Sequence, residues 1–377
     1  MLIELFIFSI VIIAYGIFIT IAIFGINNLN QNSNNHNSSL NYPFISIVVS
    51  VRNEEGNAEN FISEINKQNY PKDNFELIVI NDFSEDQTLE VFKIHLEKSG
   101  LKFKLIHQLS HKGKKHNINE AITLSSGTLI ITTDADVSYR DSDWLKQIAN
   151  YFEINHPNLL IMPVDFEEDS SFLTSFQITE NIALTAITAG FCGINKPFVC
   201  NGANLAFTKQ AFESVNGYLN HLHISSGEDV FLLEDLKKLD SQAIHYSWKK
   251  ELIVKTKPVN SLSDFFNQRL RWAYKAKYNS NIINLSFGFI VLCANLIFLV
   301  LIVSVIKNQA ITPYLAFFVL TKLIFDFLLL FLASKFLGKV KYLRLLIPFE
   351  CVYWLYALIV GLGSLVIKPT WKGIKVK

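Results

Sequence analysis

The chain has 377 residues, half of them apolar and only 18% charged, with a net charge of +1. That length holds one large domain or two ordinary ones, and the near-neutral total carries no footprint of nucleic-acid binding. Four cysteines, Cys192, Cys200, Cys293 and Cys351, show no Cys-x-x-Cys spacing. A disulfide framework or zinc site is therefore not expected, and they read as small hydrophobes in a reducing setting.

The apolar excess sits at both ends. Leu5 to Ile26 carries no charge and reaches about 33 Å as a helix, enough to cross a bilayer core. With no basic leader and no small-residue cleavage site, residues 1–26 are expected to be a retained anchor. Asn27 to Ser39 is nearly all Asn, Ser and Gln, so residues 27–42 are expected to be a solvated tether.

Residues 43–260 alternate in pattern. Phe44–Ser50, Phe75–Ile80, Phe103–His107, Thr128–Thr133 and Asn158–Val164 are predicted strands. Ala58–Gln68, Asp86–Lys98, Lys114–Leu124 and Ser142–Ile154 are predicted helices between them. This order predicts an α/β fold, a mostly parallel, Rossmann-like sheet with helices on both faces. Ligands of such sheets bind beyond the carboxyl ends of the strands. The polar groups there are Arg52-Asn53-Glu54-Glu55, Asn81-Asp82 and Asp134-Ala135-Asp136.

Residues 261–280 form an amphipathic segment containing Gln268-Arg269-Leu270-Arg271-Trp272. In 281–377 follow three further apolar runs, Ile282–Ile306, Ile311–Ala333 and Leu345–Ile367. Lys322 and Asp326 are four apart, share a helix face and are expected to pair inside a bundle. The third run contains Pro348, Gly361 and Gly363, so a kinked or re-entrant course is one expectation. Lysines in the loop 335–344 and in the tail cannot both lie inside if that run spans.

The chemistry-bearing residues recur in a fixed order. Asp134-Ala135-Asp136 ends a strand, where a turn lets both acids converge on a divalent cation or on ribose hydroxyls. Gly227-Glu228-Asp229 opens a helix, and Gln268 to Trp272 precedes the apolar runs. Only five arginines occur in the chain, and two of them fall in that last motif. A guanidinium fork matches phosphate oxygens in a way lysine cannot.

Asp-x-Asp, Glu-Asp and Gln-x-x-Arg-Trp in this order resemble the membrane-bound family 2 glycosyltransferases. These have the GT-A fold and include cellulose, chitin and hyaluronan synthases and ceramide glucosyltransferase. The resemblance covers about residues 43–278 plus the flanking apolar runs. It implies that Glu54 and Asp82 hold the nucleotide base and ribose, with Arg52 beside them. Lys114, at the helix start in Lys112-Gly113-Lys114-Lys115, suits a phosphate. Asp136 would be the main metal ligand for Mg²⁺ or Mn²⁺, and Asp134 would support ribose or metal.

Asp229, beside Glu228, would be the general base. Arg271 would contact the diphosphate, Gln268 would place that segment, and Trp272 and Asn201 would line the acceptor. Each also has a plainer reading, as a turn aspartate, a helix cap, a solvated basic turn or a membrane-interface residue. The implied partners are a nucleotide sugar, most often a UDP-sugar, and a lipid or lipid-linked glycan acceptor at the cytosolic face of the cell membrane. A processive polysaccharide synthase, an inactive nucleotide-binding scaffold and a metal-dependent nucleotidyltransferase are the alternatives.

Overall fold

The computed structural model describes residues 2–31, 42–224, 227–275, 281–368, 370–371 and 374–375. Most of the expected tether, residues 32–41, lies outside the described residues, as do Ser225, Ser226 and residues 276–280. The chain divides into two units. One gathers Leu29–Glu167 and Asn195–Pro258 with the last residues; the other gathers Met1–Asn28, Glu168–Ile194 and Val259–Thr370.

In the chain's order the elements begin with helix α1 (Leu2–Gln31), β1 (Ile45–Val51), α2 (Ala58–Asn66), β2 (Phe75–Asn81) and α3 (Thr88–Ser99). Then come β3 (Phe103–His107), α4 (Lys114–Thr123), β4 (Leu129–Thr133), β5 (Ser138–Tyr139), α5 (Trp144–Asn155), β6 (Leu159–Ile161) and β7 (Val164–Phe166). Helix α6 (Phe172–Cys192), β8 (Asn204–Thr208), α7 (Lys209–Ser214), α8 (Glu228–Leu239), β9 (Ile244–Tyr246) and β10 (Val254–Thr256) follow. Helices α9 (Leu262–Lys275), α10 (Ile282–Ile306), α11 (Thr312–Leu337) and α12 (Leu346–Val366) come next, followed by the short paired strands β11 (Thr370–Trp371) and β12 (Ile374–Lys375).

The first unit is built on a seven-stranded sheet in the order β3-β2-β1-β4-β8-β6-β9. Strand β8 runs antiparallel to both neighbours, and the other pairs are parallel. Strands β1 and β2 are rich in Val and Ile and buried along almost their whole length, as a sheet covered on both faces requires. The core packs Ile45, Ile47, Val49, Leu77 and Val79 against Phe61, Phe92, Trp144 and Ile148 from the helices.

One expected strand, Asn158–Val164, is two. Pro163 lacks the N–H a ladder needs, so the chain leaves the main sheet after Ile161. Strand β7 then joins a second sheet, β5-β10-β7. Helix α3 starts two residues later than expected, because Asp86 accepts the Thr88 N–H at 3.0 Å and so lies in the turn that precedes the helix.

In the second unit, α1, α10, α11 and the stretch Val340–Val366 ending in α12 are long and apolar enough to cross a membrane. Helix α1 continues past Ile26 to Gln31, so the first tether residues are helical, and Asn28 donates to the Gly193 carbonyl at 3.2 Å. Helices α1 and α6 approach through glycine: a Cβ on Gly25 would stand 1.8 Å from the Gly190 carbonyl oxygen. Close approach of this kind is how small residues join apolar helices. Residues 168–194, inside the segment expected to be catalytic, thus group with the apolar helices.

Helix α12 runs unbroken through Gly361 and Gly363, with Pro348 in its first turn, where a missing N–H costs little. The expected Lys322–Asp326 pair forms at 2.7 Å, and Lys322 also meets Glu350 at 2.6 Å. The Tyr15 hydroxyl donates to Asp326, tying α1 into the cluster.

Candidate active site

Strand β4 ends at Thr133, and the chain turns at once. Ala135 and Val137 point into the core, leaving Asp134 and Asp136 half-buried. Asp136 accepts from the Thr256 hydroxyl of β10 at 2.8 Å. Burial first, then the charges of Asp134 and Glu54, push its carboxyl up to about 6, with Thr256 opposing. Three acids therefore share one electrostatic field at the ends of β1 and β4.

Helix α4 brings the next group. Lys114 Nζ lies 2.6 Å from Asp134 Oδ1 and 3.1 Å from Glu228 Oε1. Burial lowers its pKa, yet the two carboxylates together hold it above the ordinary lysine value. One ammonium thus joins the Asp-x-Asp turn to the Glu-Asp helix, 94 residues further along the chain from Asp134.

Helix α8 begins at Gly227, whose φ of +89° favours glycine. Asp229 accepts from the Gly202 N–H at 3.2 Å and from the Val230 N–H at 2.8 Å. A Cβ on Gly202 would lie 3.1 Å from Glu228 Oε1, so the loop before β8 comes close to both acids. Tyr218 is buried near the pair; burial, then Glu228 and Asp229, raise its hydroxyl pKa.

The residues implied for the nucleotide are arranged differently from one another. Glu54 is half-buried, accepts from Asn57 Nδ2 at 2.6 Å and acts on Asp136. Asp82 is fully buried and accepts from the N–H groups of Lys112 and Gly113, with His111 Nδ1 at 2.7 Å. Arg52 donates to the carbonyls of Asp82 and Phe83 and pairs with Glu85 at 2.8 Å. Asp82 and Arg52 therefore shape the loops around the strand ends. Asn201 is exposed, and its side chain accepts from the Ala203 N–H at 3.0 Å, closing a local turn.

Gln268, Arg269, Arg271 and Trp272 lie on α9, in the unit of apolar helices. Arg269 is buried; its Nε donates to Glu180 Oε2 at 2.7 Å and its Nη1 to Gln268 Oε1. Its guanidinium stacks 4.2 Å from the Trp272 ring centroid and 4.6 Å from that of Phe265. Glu180 also accepts from the Tyr356 hydroxyl. Gln268 and Trp272 thus brace Arg269 between α6 and α12.

Among the described residues no three His, Cys, Asp or Glu side chains converge as a metal cage. Mg²⁺, however, is commonly held by one or two carboxylates plus substrate phosphates. Half-buried Asp134 and Asp136, mutually repelling and beside Glu54, are a hard-oxygen donor set of that kind. The residues fit such an ion.

Sequence reasoning missed Thr256 and Gly202. Neither carries a local signal, since each acts through a contact made by a strand or loop far along the chain.

A mostly parallel α/β sheet with an acidic site at its strand ends is a GT-A-like fold, joined in this chain to several long apolar helices. Residues 46–215 match the family described as Glycosyl transferase family 2. It is 29% identical over 118 residues to poly(ribitol-phosphate) beta-N-acetylglucosaminyltransferase TarS of Staphylococcus aureus, covering 31% of this chain and 20% of that protein. It is 25% identical over 237 residues to beta-monoglucosyldiacylglycerol synthase of Trichormus variabilis, covering 61% of this chain and 48% of the relative. The chain thus spans from a fifth to about half of the length of these relatives. Mannosyltransferase PcManGT from Pyrobaculum calidifontis, solved with GDP-Man and Mn²⁺, superposes with a TM-score of 0.56 at 14% identity. That likeness covers 95% of this chain and 99% of the other, and it speaks for the fold.

Proposed function

We propose that this chain is an integral-membrane inverting glycosyltransferase. It moves one sugar from a nucleotide sugar, a UDP-sugar by the family resemblance, to a lipid or lipid-linked glycan at the cytosolic face of the cell membrane. The observation that carries the reading is the Lys114 bridge, which joins Asp134 of the Asp-x-Asp turn to Glu228 of the Glu-Asp helix. Donor and base motifs then face one another across a single polar centre. The diacylglycerol named in the Trichormus relative supports a lipid acceptor, and the GDP-Man and Mn²⁺ named for the mannosyltransferase support a nucleotide sugar with a divalent ion.

In this mechanism Asp229 takes the proton of the acceptor hydroxyl, whose oxygen bonds to the anomeric carbon from the face opposite the leaving group. The anomeric C–O bond breaks, its electron pair leaves with the nucleoside diphosphate, and the configuration inverts. The N–H groups of Gly202 and Val230 fix the Asp229 carboxylate for that task. Asp136 and Asp134 would hold Mg²⁺ or Mn²⁺, which neutralises charge developing on the diphosphate. Arg271 keeps the diphosphate role that its place in Gln-x-x-Arg-Trp implies.

The domain assignment is part of this proposal: an anchor in α1, a catalytic unit built from residues 42–167 and 195–258, α9 as the interfacial helix and membrane segments in α10 to α12. Four apolar helices form a small bundle, which favours a single transfer over a processive polymer. Purified protein in detergent, incubated with Mn²⁺, a diacylglycerol acceptor and a panel of nucleotide sugars, tests the reading. One donor is expected to give a product carrying one sugar. A ladder of oligomers would make it a polymer synthase, and consumption of no donor would leave a nucleotide-binding scaffold.

A further inference from the structure

Lys115 stands apart from the other lysines of the basic turn. It is 2% exposed, whereas its neighbours Lys114 and Lys112 reach solvent. Its ammonium donates to the carbonyls of His221 and Ile224, each at 2.9 Å, and sits 4.4 Å from the Phe231 ring centroid. Burying an ammonium is costly unless its hydrogen bonds are made, so this side chain locks wherever those carbonyls are held.

The segment it grips is itself seated on α8. The His221 ring stacks on Phe231 with centroids 4.5 Å apart and an interplanar angle of 12°. Its Nε2 lies 2.6 Å from Asp235 Oδ2. Phe231 and Asp235 are four apart and share one face of the helix, whose first turn presents Glu228 and Asp229. Residues 221–224 are thus clamped between the start of α4 and the flank of α8. Lys114, the adjacent residue on α4, reaches Glu228 Oε1 at 3.1 Å.

We propose that Lys115 is a positioning residue for Asp229: it fixes the 221–224 segment against α8, so that the base is presented at a set distance from the Asp-x-Asp turn. This rests on the reading of Asp229 as general base. Lys115 touches no substrate. Its removal is therefore expected to lower turnover and leave the metal site unchanged.

The test uses the full-length protein in detergent with Lys115→Met, Lys115→Arg and Asp235→Asn. Three quantities are measured: Mn²⁺ affinity, hydrogen exchange along the chain, and turnover of UDP-glucose, UDP-N-acetylglucosamine and GDP-mannose. Lys115→Met is expected to raise exchange at least tenfold over His221–Ile224 and the first turn of α8, leaving β1, β2 and β4 unchanged. Mn²⁺ affinity stays within about twofold, and kcat for the donor consumed falls about 10–100-fold at constant KM. Lys115→Arg recovers most of the loss, and Asp235→Asn loosens the same segment from its other side. Unchanged exchange in that segment overturns the proposal, as does protection lost evenly across the sheet, which marks a general loss of stability. If the wild type consumes no donor, the transferase reading fails by itself, and the exchange pattern still decides the role of Lys115.

Discussion

Replacing Asp136 by Asn separates the cost of the acidic site from its use. Its carboxyl sits at about 6 in the folded protein against an ordinary 3.8. A group whose folded pKa is raised in this way costs stability when ionised. The cost is absent below pH 3.8, grows as pH rises through that window, and is complete above about 6. At 1.36 kcal/mol for each pKa unit the difference amounts to about 3 kcal/mol at pH 7.5, and about half of it remains at pH 5. Asn keeps an acceptor for the Thr256 hydroxyl and removes the charge facing Asp134 and Glu54. In EDTA at pH 7.5 the variant should therefore unfold roughly 6–12 °C above the wild type, for a unit of about 200 residues.

Trp144, fully buried beside Tyr139 at a centroid distance of 4.4 Å, contributes a fluorescence change when that unit unfolds. The gap should shrink by about half at pH 5. Adding Mn²⁺ should raise the wild-type midpoint and leave the variant's unchanged, while the variant's transfer activity is lost. An Asp136→Asn variant no more stable than wild type in EDTA at pH 7.5 would refute the reasoning, because neither burial nor the neighbouring acids would then disfavour the ionised Asp136 carboxylate.

Asp229→Asn should lower turnover on the order of 10²–10⁴-fold with Mn²⁺ affinity nearly intact, since only the proton acceptor is removed; product formation under saturating donor measures it. Lys322→Met leaves Asp326 and Glu350 facing each other among the apolar helices. It should cost about 3–5 kcal/mol, read as a lower midpoint in detergent, and an unchanged midpoint would show the cluster to be solvated. Gly190→Val drives a side chain into α1, where a Cβ already stands 2.4 Å from the Ala22 carbonyl oxygen. Loss of folded protein, measured by size-exclusion yield, is the expected result, with Gly56→Val, which meets nothing within 4 Å, as the silent control. Glu180→Gln removes the charge opposite buried Arg269 and should destabilise by a few kcal/mol, with Arg269→Met relieving most of that loss in the double variant.

Periodicity and run length fixed much of the architecture. The apolar runs at both ends are long helices, and the Val/Ile-rich strands alternating with amphipathic helices make a mostly parallel sheet, because hydrophobic spacing is a local property that one chain segment carries alone. The turn after β4 and the glycine before Glu228 were legible for the same reason. So was the Lys322–Asp326 pair, whose spacing of four places both on one helix face.

Tertiary structure decided who meets whom. Nothing near Asp136 announces Thr256, and nothing near Asp229 announces Gly202, because strands and loops far apart in sequence deliver them. It also sorted look-alikes: of three lysines in a row of four residues, one bridges two motifs, one is buried under a loop and one faces solvent. Of the two motif arginines, Arg269 is buried in the helix bundle against Glu180. Sequence names the residue types that the proposed sugar-transfer site needs. Burial and charge, which exist only once the chain is folded, assign them their tasks.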